Sequence, residues 1–149
     1  MTQNPILDDK DWTILKLLAT NARMPYTEIA KKVGLSDVAV IKRVRKLENA
    51  GVIRGYTVVV DPSKLGFRSV SITGVDVEPE HLFDVVSKLR ELDCVKYLAM
   101  TSGDHSLMAI IWARDGADMA RIHEAIAKLP GVKRVCPAVV LEVFKDEKV

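Results

Sequence analysis

Residues 27–56 read TEIAKKVGLSDVAVIKRVRKLENAGVIRGY, and their pattern decides the architecture of the front of the chain. Thr27 is expected to cap a short helix from Glu28 to Val33, with Ile29, Ala30 and Val33 as its inward stripe and Gly34 supplying the turn. Ser36 caps a longer helix that runs to about Ala50 and is stopped by Gly51. A short helix, a tight turn and a longer basic helix come in the order of a helix-turn-helix. On a helical wheel Val40, Val44 and Leu47 fall together as the buried face, and Val38, Lys42 and Arg45 stand opposite. Ala39 and Lys46 flank the outer side. Arg43 sits at the core edge, where its stem can pack and its guanidinium reach a phosphate. Ser36, Asp37, Val38 and Ala39 are short enough for the helix start to approach a major groove, and Lys42, Arg43, Arg45 and Lys46 suit phosphates or guanine edges. Val52 to Val60, rich in β-branched residues, is expected as a strand or hairpin ending at Asp61-Pro62, a wing on which Arg54 meets the DNA backbone.

A further helix precedes this segment. From Asp8 to Ala22 the residues Leu7, Ile14, Leu15, Leu17, Leu18 and Ala22 recur at helical spacing, and acids crowd the first turn, where the helix dipole favours them. Charge divides in the same place. The chain of 149 residues has a net charge of +2, but residues 1–60 hold ten Lys/Arg against six Asp/Glu, and the remainder twelve against fourteen. A polyanion is therefore expected to meet the basic front.

The back half changes period and contains a duplication. At an offset of 37, SVSITGVDV (residues 69–77) falls on SLMAIIWAR (residues 106–114), and Leu92, Val95, Lys96 and Leu98 fall on Leu129, Val132, Lys133 and Val135. Each copy reads strand, helix, strand. The helices are expected at Pro79 to Leu92, with Leu82, Val85, Val86 and Leu89 inward, and at Gly116 to Leu129, with Met119, Ile122, Ile126 and Leu129 inward. Two such halves make a ferredoxin-like βαββαβ fold, a four-stranded antiparallel sheet with both helices on one face. The whole is an α+β protein with a winged helix-turn-helix at residues 1–60, a linker at 61–68 and the ferredoxin-like domain at 69–149. Leu107 to Ala113 and Ala138 to Leu141 are apolar on both faces, so the face away from the helices needs cover. A second copy packed sheet to sheet supplies it economically; the N-terminal helices are the other source.

Several sites are weighed and set aside. Cys94 and Cys136 lack a CxxC partner and read as small buried apolar residues. His123-Glu124 begins HExxH, but Ala127 ends it, which leaves both residues as helix surface. His81, His105 and His123 show no ligand spacing, and no nucleophile elbow or phosphate-binding loop is present, so no catalytic residue, metal or cofactor is expected. Trp12 and Trp112 are expected in the core. The longest apolar run, Leu107 to Ala113, is too short to span a bilayer, and MTQNPILDDKDW lacks a signal-peptide layout, which implies a cytoplasmic protein without a membrane partner.

Leu7-Asp8 with Ile14-Leu15, then TEIAKKVGLSDVAVIKRVRKLENAGVIRGYTVVVDPSKLG, resembles the winged helix-turn-helix of the Lrp/AsnC (feast/famine) transcription regulators. The back half resembles that family's effector-sensing domain, notably at Ser102-Gly103-Asp104-His105 and PGVKRVCPAVVLEVFK, and the archaeal branch looks similar at SGDH and CPA. The resemblance covers about residues 7–145. It implies a sequence-specific regulator that binds double-stranded DNA at an imperfect palindrome. It further implies a homodimer built on facing sheets, assembling into tetramers or octamers, with a small effector such as an amino acid bound near Gly103, Asp104 and His105. Two departures stand out. Many members read GDYD where this chain has Gly103-Asp104-His105-Ser106, and many carry hydroxyl residues in place of Cys136 and Ala138. The competing reading is a metabolic sensor or enzyme subunit whose N-terminal bundle is a protein-interaction module. Duplex binding that weakens steeply with salt separates the two.

Overall fold

The computed structural model describes residues 4–149; residues 1–3, the start of the expected front domain and of the MTQNPILDDKDW segment, lie outside the described residues. The chain divides into two compact units, one comprising residues up to Val59 together with Lys145–Val149 and the other Val60–Phe144.

In the first unit three helices, α1 (Asp9–Thr20), α2 (Tyr26–Val33) and α3 (Asp37–Asn49), enclose a core of Ile14, Leu18, Ile29, Ala30, Val40 and Val44. Asp8 caps α1 through a reciprocal pair: its carboxylate accepts the Asp11 N–H at 2.8 Å, and Asp11 accepts the Asp8 N–H at 3.1 Å. The second helix starts at Tyr26, not Glu28. Pro25 stands at its N-cap with φ −60°, and its carbonyl accepts the Glu28 and Ile29 N–H groups, so Thr27 lies inside the first turn and caps nothing. Gly34 at φ +70° makes the turn into α3, where a side chain would be strained. Ser36 then caps α3 by accepting the Ala39 N–H at 3.2 Å.

Two further expectations fail in this part of the chain. Trp12 is half exposed, because the inward stripe of α1 runs through Asp11, Ile14, Leu15 and Leu18, and a one-residue step turns a side chain 100° away. The stretch Val52–Val60 forms no strand. Val52 and Ile53 fold back so that both N–H groups donate to the Leu47 carbonyl, and the rest runs unpaired with Val58 and Val59 exposed. β-branched residues favour extended backbone, but a strand needs a ladder partner, and the described residues supply none here.

The second unit begins with a 3-10 turn, Pro62–Leu65, capped by Asp61; residues 61–68, expected as a linker, are part of it. Then come β1 (Ser69–Val77), α4 (Leu82–Arg90), β2 (Val95–Met100), β3 (Leu107–Ala113), α5 (Gly116–Ala127) and β4 (Val132–Val139). The sheet order is β2-β3-β1-β4 with every neighbouring pair antiparallel, as the duplicated βαβ pattern requires. Pro79–His81 form a separate 3-10 turn, which delays α4 to Leu82. On β3 the burial alternates strictly, with Leu107, Ala109, Ile111 and Ala113 in the core beside Val75, Val85, Leu89, Met119 and Ile126. Met108, Ile110 and Trp112 therefore point to the opposite face. Trp112 is not a core residue: its ring lies 5.8 Å from that of Phe67, with the Lys96 ammonium 5.3 Å above it. Across β1 the register continues this open face, pairing Val70 with Trp112, Ile72 with Ile110 and with Ala138, and Gly74 with Met108 and with Cys136.

One polar cluster crosses the helix-facing layer. Ser71 and Thr73, both fully buried, hydrogen-bond at 2.7 Å, and Thr73 meets His123 Nε2 at 2.7 Å. His123 is thus not plain helix surface; it satisfies hydroxyls that β1 buries against α5. Burial lowers its pKa, so the imidazole is held neutral.

Candidate DNA-binding helix and ligand cleft

Helix α3 carries the sequence-expected DNA-contacting residues, and the packing sorts them. Val40, Val44 and Leu47 are buried, which turns Val38, Lys42, Arg45 and Lys46 outward; all four are exposed and Ala39 is half-buried. Among the described residues none of Lys42, Arg45 and Lys46 has an ion pair. Ser36 and Asp37 stand exposed at the helix start, and Arg54 is exposed beyond Gly51. The expected wing is absent among the described residues, so Arg54 sits on a segment without regular structure and not on a hairpin.

Arg43 differs from the other cations. Its Nη1 donates to Asp8 Oδ1 and Oδ2 at 2.8 and 2.7 Å and to Asp11 Oδ1 at 3.0 Å. The guanidinium expected at a phosphate is instead occupied in tying α3 to the first turn of α1. That hydrogen bond is the main reason the Asp8 carboxyl is pulled down to about 2. Asp8 and Asp11 were legible as first-turn acids, but their partner 32 to 35 residues away was not.

The loop after β2 forms the second candidate site. Thr101 closes it, its N–H donating to the Ser106 carbonyl at 3.0 Å and its hydroxyl to the His105 carbonyl at 2.9 Å, while Gly103 adopts φ +96°. Gly103, Asp104 and His105 are brought together with Asp76, Ser106, Lys133 and Arg134 around an open cleft of about 500 Å³. His105 Nδ1 lies 2.9 Å from Asp76 Oδ1, and Arg134 Nε donates to Asp76 Oδ2 at 3.0 Å. The His105 bond, then Arg134, keep the Asp76 carboxyl below its usual range. The Asp104 carboxylate is exposed and, among the described residues, makes no side-chain hydrogen bond. Asp76, Lys133 and Arg134 were missed from sequence. The available signal was Asp76 as the one charge in the outward row Val70, Ile72, Gly74, Asp76 of an apolar strand.

Known proteins resemble both units. Residues 7–48 match the AsnC-type helix-turn-helix domain and residues 70–149 the Lrp/AsnC ligand binding domain. The HTH-type transcriptional regulator LrpA of Pyrococcus horikoshii is 52% identical over 141 residues, spanning 94% of this chain and 100% of that protein. Among solved structures, E. coli AsnC superposes with a TM-score of 0.88 at 26% identity over 97% of this chain and 99% of its own. The feast or famine regulatory protein of M. tuberculosis, complexed with L-methionine, gives 0.87 at 25% identity over 97% and 98%. Relatives that match 94% of this chain and the whole of their own length are transcriptional regulators, in line with the DNA-binding reading and not with a metabolic sensor or enzyme subunit whose N-terminal bundle is an interaction module. No helix among the described residues is long and apolar enough to cross a membrane. Both domain matches occur in the order in which the helical unit and the sheet unit fold, and together they span most of the sequence: the chain belongs to the Lrp/AsnC family of DNA-binding transcriptional regulators.

Proposed function

We propose that the chain reads an operator in double-stranded DNA with the outward row of α3, and that a small molecule of the amino-acid class in the cleft at Gly103, Asp104 and His105 modulates the binding. The observation that carries the first part is the row itself: Lys42, Arg45 and Lys46 are exposed and unpaired among the described residues, with Val38 beside them. Ser36, Asp37, Val38 and Ala39 approach the groove, Val38 offering a thymine methyl an apolar contact. Lys42, Arg45 and Lys46 contact base edges or phosphates, and Arg54 the backbone. Arg43 acts by holding α3 on α1. The cleft suits a zwitterion, with Asp104 for an ammonium group and Lys133 and Arg134 for a carboxylate; the M. tuberculosis relative binds L-methionine.

Two further features support assembly of copies. The outward face of the sheet presents Ile72, Ile110 and Trp112, and residues 54–60, rich in β-branched side chains, have no ladder partner among the described residues. A two-fold dimer with sheets facing pairs the α3 helices, makes the operator an imperfect palindrome and leaves further surfaces for tetramers or octamers. On this reading the protein acts in the cytoplasm. Footprinting across the DNA upstream of its own reading frame, with and without pooled amino acids, tests this. Protection of a palindromic site that weakens steeply with salt and responds to the amino acids is expected; an absent or salt-independent complex overturns the DNA reading, and protection indifferent to the pool overturns the effector reading.

A further inference from the structure

The end of the open sheet face gathers three side chains of metal-ligand chemistry from three separate elements. Asp76 comes from β1, His105 from the loop between β2 and β3, and Cys136 from β4, and one donor atom of each lies within 4.8 Å of the others. The register explains the meeting. Gly74 stands directly opposite Cys136, and Asp76 lies two residues further on the same face of β1. The His105 imidazole rests on Gly74: a Cβ built there would sit 2.4 Å from His105 Cδ2 and 2.5 Å from Cγ. The missing side chain is therefore a cradle that seats the ring beside the thiol. Asp76 Oδ1 is bonded to His105 Nδ1 and its Oδ2 is held by Arg134, so the carboxylate plane and the imidazole are both oriented. The His105 and Asp76 side chains retain only 24% and 16% of their exposure, which limits competing water.

We propose that Asp76, His105 and Cys136 bind a transition-metal ion of the zinc type. One thiolate, one imidazole and one carboxylate form a borderline-soft set that suits Zn²⁺ or Co²⁺ better than Mg²⁺ or Ca²⁺, which prefer oxygen alone. Ionised thiolate and carboxylate, with the Asp104 carboxylate in the same cleft, outweigh Lys133 and Arg134, so a divalent cation is favoured. Three protein ligands leave a fourth tetrahedral position. Closing a span of 4.8 Å to the roughly 3.5 Å between ligands around tetrahedral zinc asks for a small side-chain adjustment. The ion replaces the contact between His105 Nδ1 and Asp76 Oδ1, so that both groups ligate it while Arg134 keeps hold of Asp76 Oδ2. The inference goes beyond the amino-acid reading of the cleft and stands without it.

The test is optical and uses the full chain, reduced, stripped with chelator and titrated with Co²⁺ in the absence of amino acids or DNA. Binding of one Co²⁺ per chain is expected, with thiolate-to-cobalt charge transfer in the near ultraviolet, visible bands of tetrahedral intensity, and displacement by Zn²⁺. Cys136→Ser should abolish the charge-transfer band and Cys94→Ser should keep it. Gly74→Ala, which removes no ligand but crowds the imidazole from Cγ to Nε2, should weaken binding roughly 10- to 100-fold, as loss of a supporting residue does at other metal sites. Absence of the band in the parent chain overturns the proposal, as does a band that survives Cys136→Ser or an affinity unmoved by both His105→Ala and Gly74→Ala.

Discussion

The Arg43 guanidinium on α3 and the Asp8 carboxylate at the N-cap of α1 meet at 2.7 Å, joining two helices through residues 35 apart in sequence. Asp8 is the more ionised for it, pulled down to about 2. A carboxyl lowered on folding adds stability above its ordinary value and loses it as pH falls through the folded value, so this link is lost between about pH 4 and pH 2. Arg43→Ala should raise the Asp8 carboxyl toward its ordinary value, the Asp11 N–H still holding it down in part, and shift the acid unfolding transition to higher pH. Far-ultraviolet circular dichroism against pH reads this directly. An unmoved transition would mean the pair does not hold the helices together in solution.

Lys42 and Arg45 stand opposite the buried stripe of α3, so Lys42→Ala or Arg45→Ala should weaken operator binding while leaving the melting temperature unchanged. Loss at a base contact should cost about 1 to 3 kcal/mol and relax one operator position; loss at a phosphate should weaken all sequences alike and reduce the salt slope. Gel shifts over a range of salt distinguish the two. Full affinity in both variants would show that another surface reads the DNA.

Ile110 and Ile111 are adjacent on β3 but face opposite ways, Ile111 fully buried under the helices and Ile110 on the open face. Ile111→Asp should unfold the second unit, since an unpaired carboxylate in a core costs several kcal/mol. Ile110→Asp should leave a folded chain but break the proposed dimer. Light scattering with circular dichroism decides it, and a folded, still dimeric Ile110→Asp would remove the sheet-to-sheet arrangement.

His123, with its pKa lowered by burial, binds its proton more weakly in the folded than in the unfolded chain. The unfolded state therefore takes up protons first as pH falls below about 6.5, and stability declines from there. His123→Gln, which keeps a hydrogen-bonding group near Thr73, should flatten the pH dependence of the melting temperature between about pH 7 and pH 5. An identical slope in both proteins would assign the decline to other groups.

Local pattern was enough for the elements and their order. Apolar spacing marked α1 to α3, Gly34 and Ser36 marked the turn and cap, and the offset of 37 exposed a duplicated βαβ unit, because period and capping are properties of neighbours along the chain. The outward row of α3 was legible for the same reason, since a wheel position follows from spacing alone. What depends on partners distant in sequence was not. Val52–Val60 reads as a strand, yet strand formation rests on a ladder partner that the described residues do not provide. Trp12 and Trp112 read as core residues, but a step of one residue on α1 and the alternation of β3 turned both outward. Arg43 read as a phosphate contact until folding set it beside Asp8, and His123 as surface until β1 buried hydroxyls that needed it. Asp76, His105 and Cys136 have no spacing that signals a common site. Only the antiparallel register, which sets Gly74 opposite Cys136 and leaves space above it for an imidazole, brings their donor atoms together.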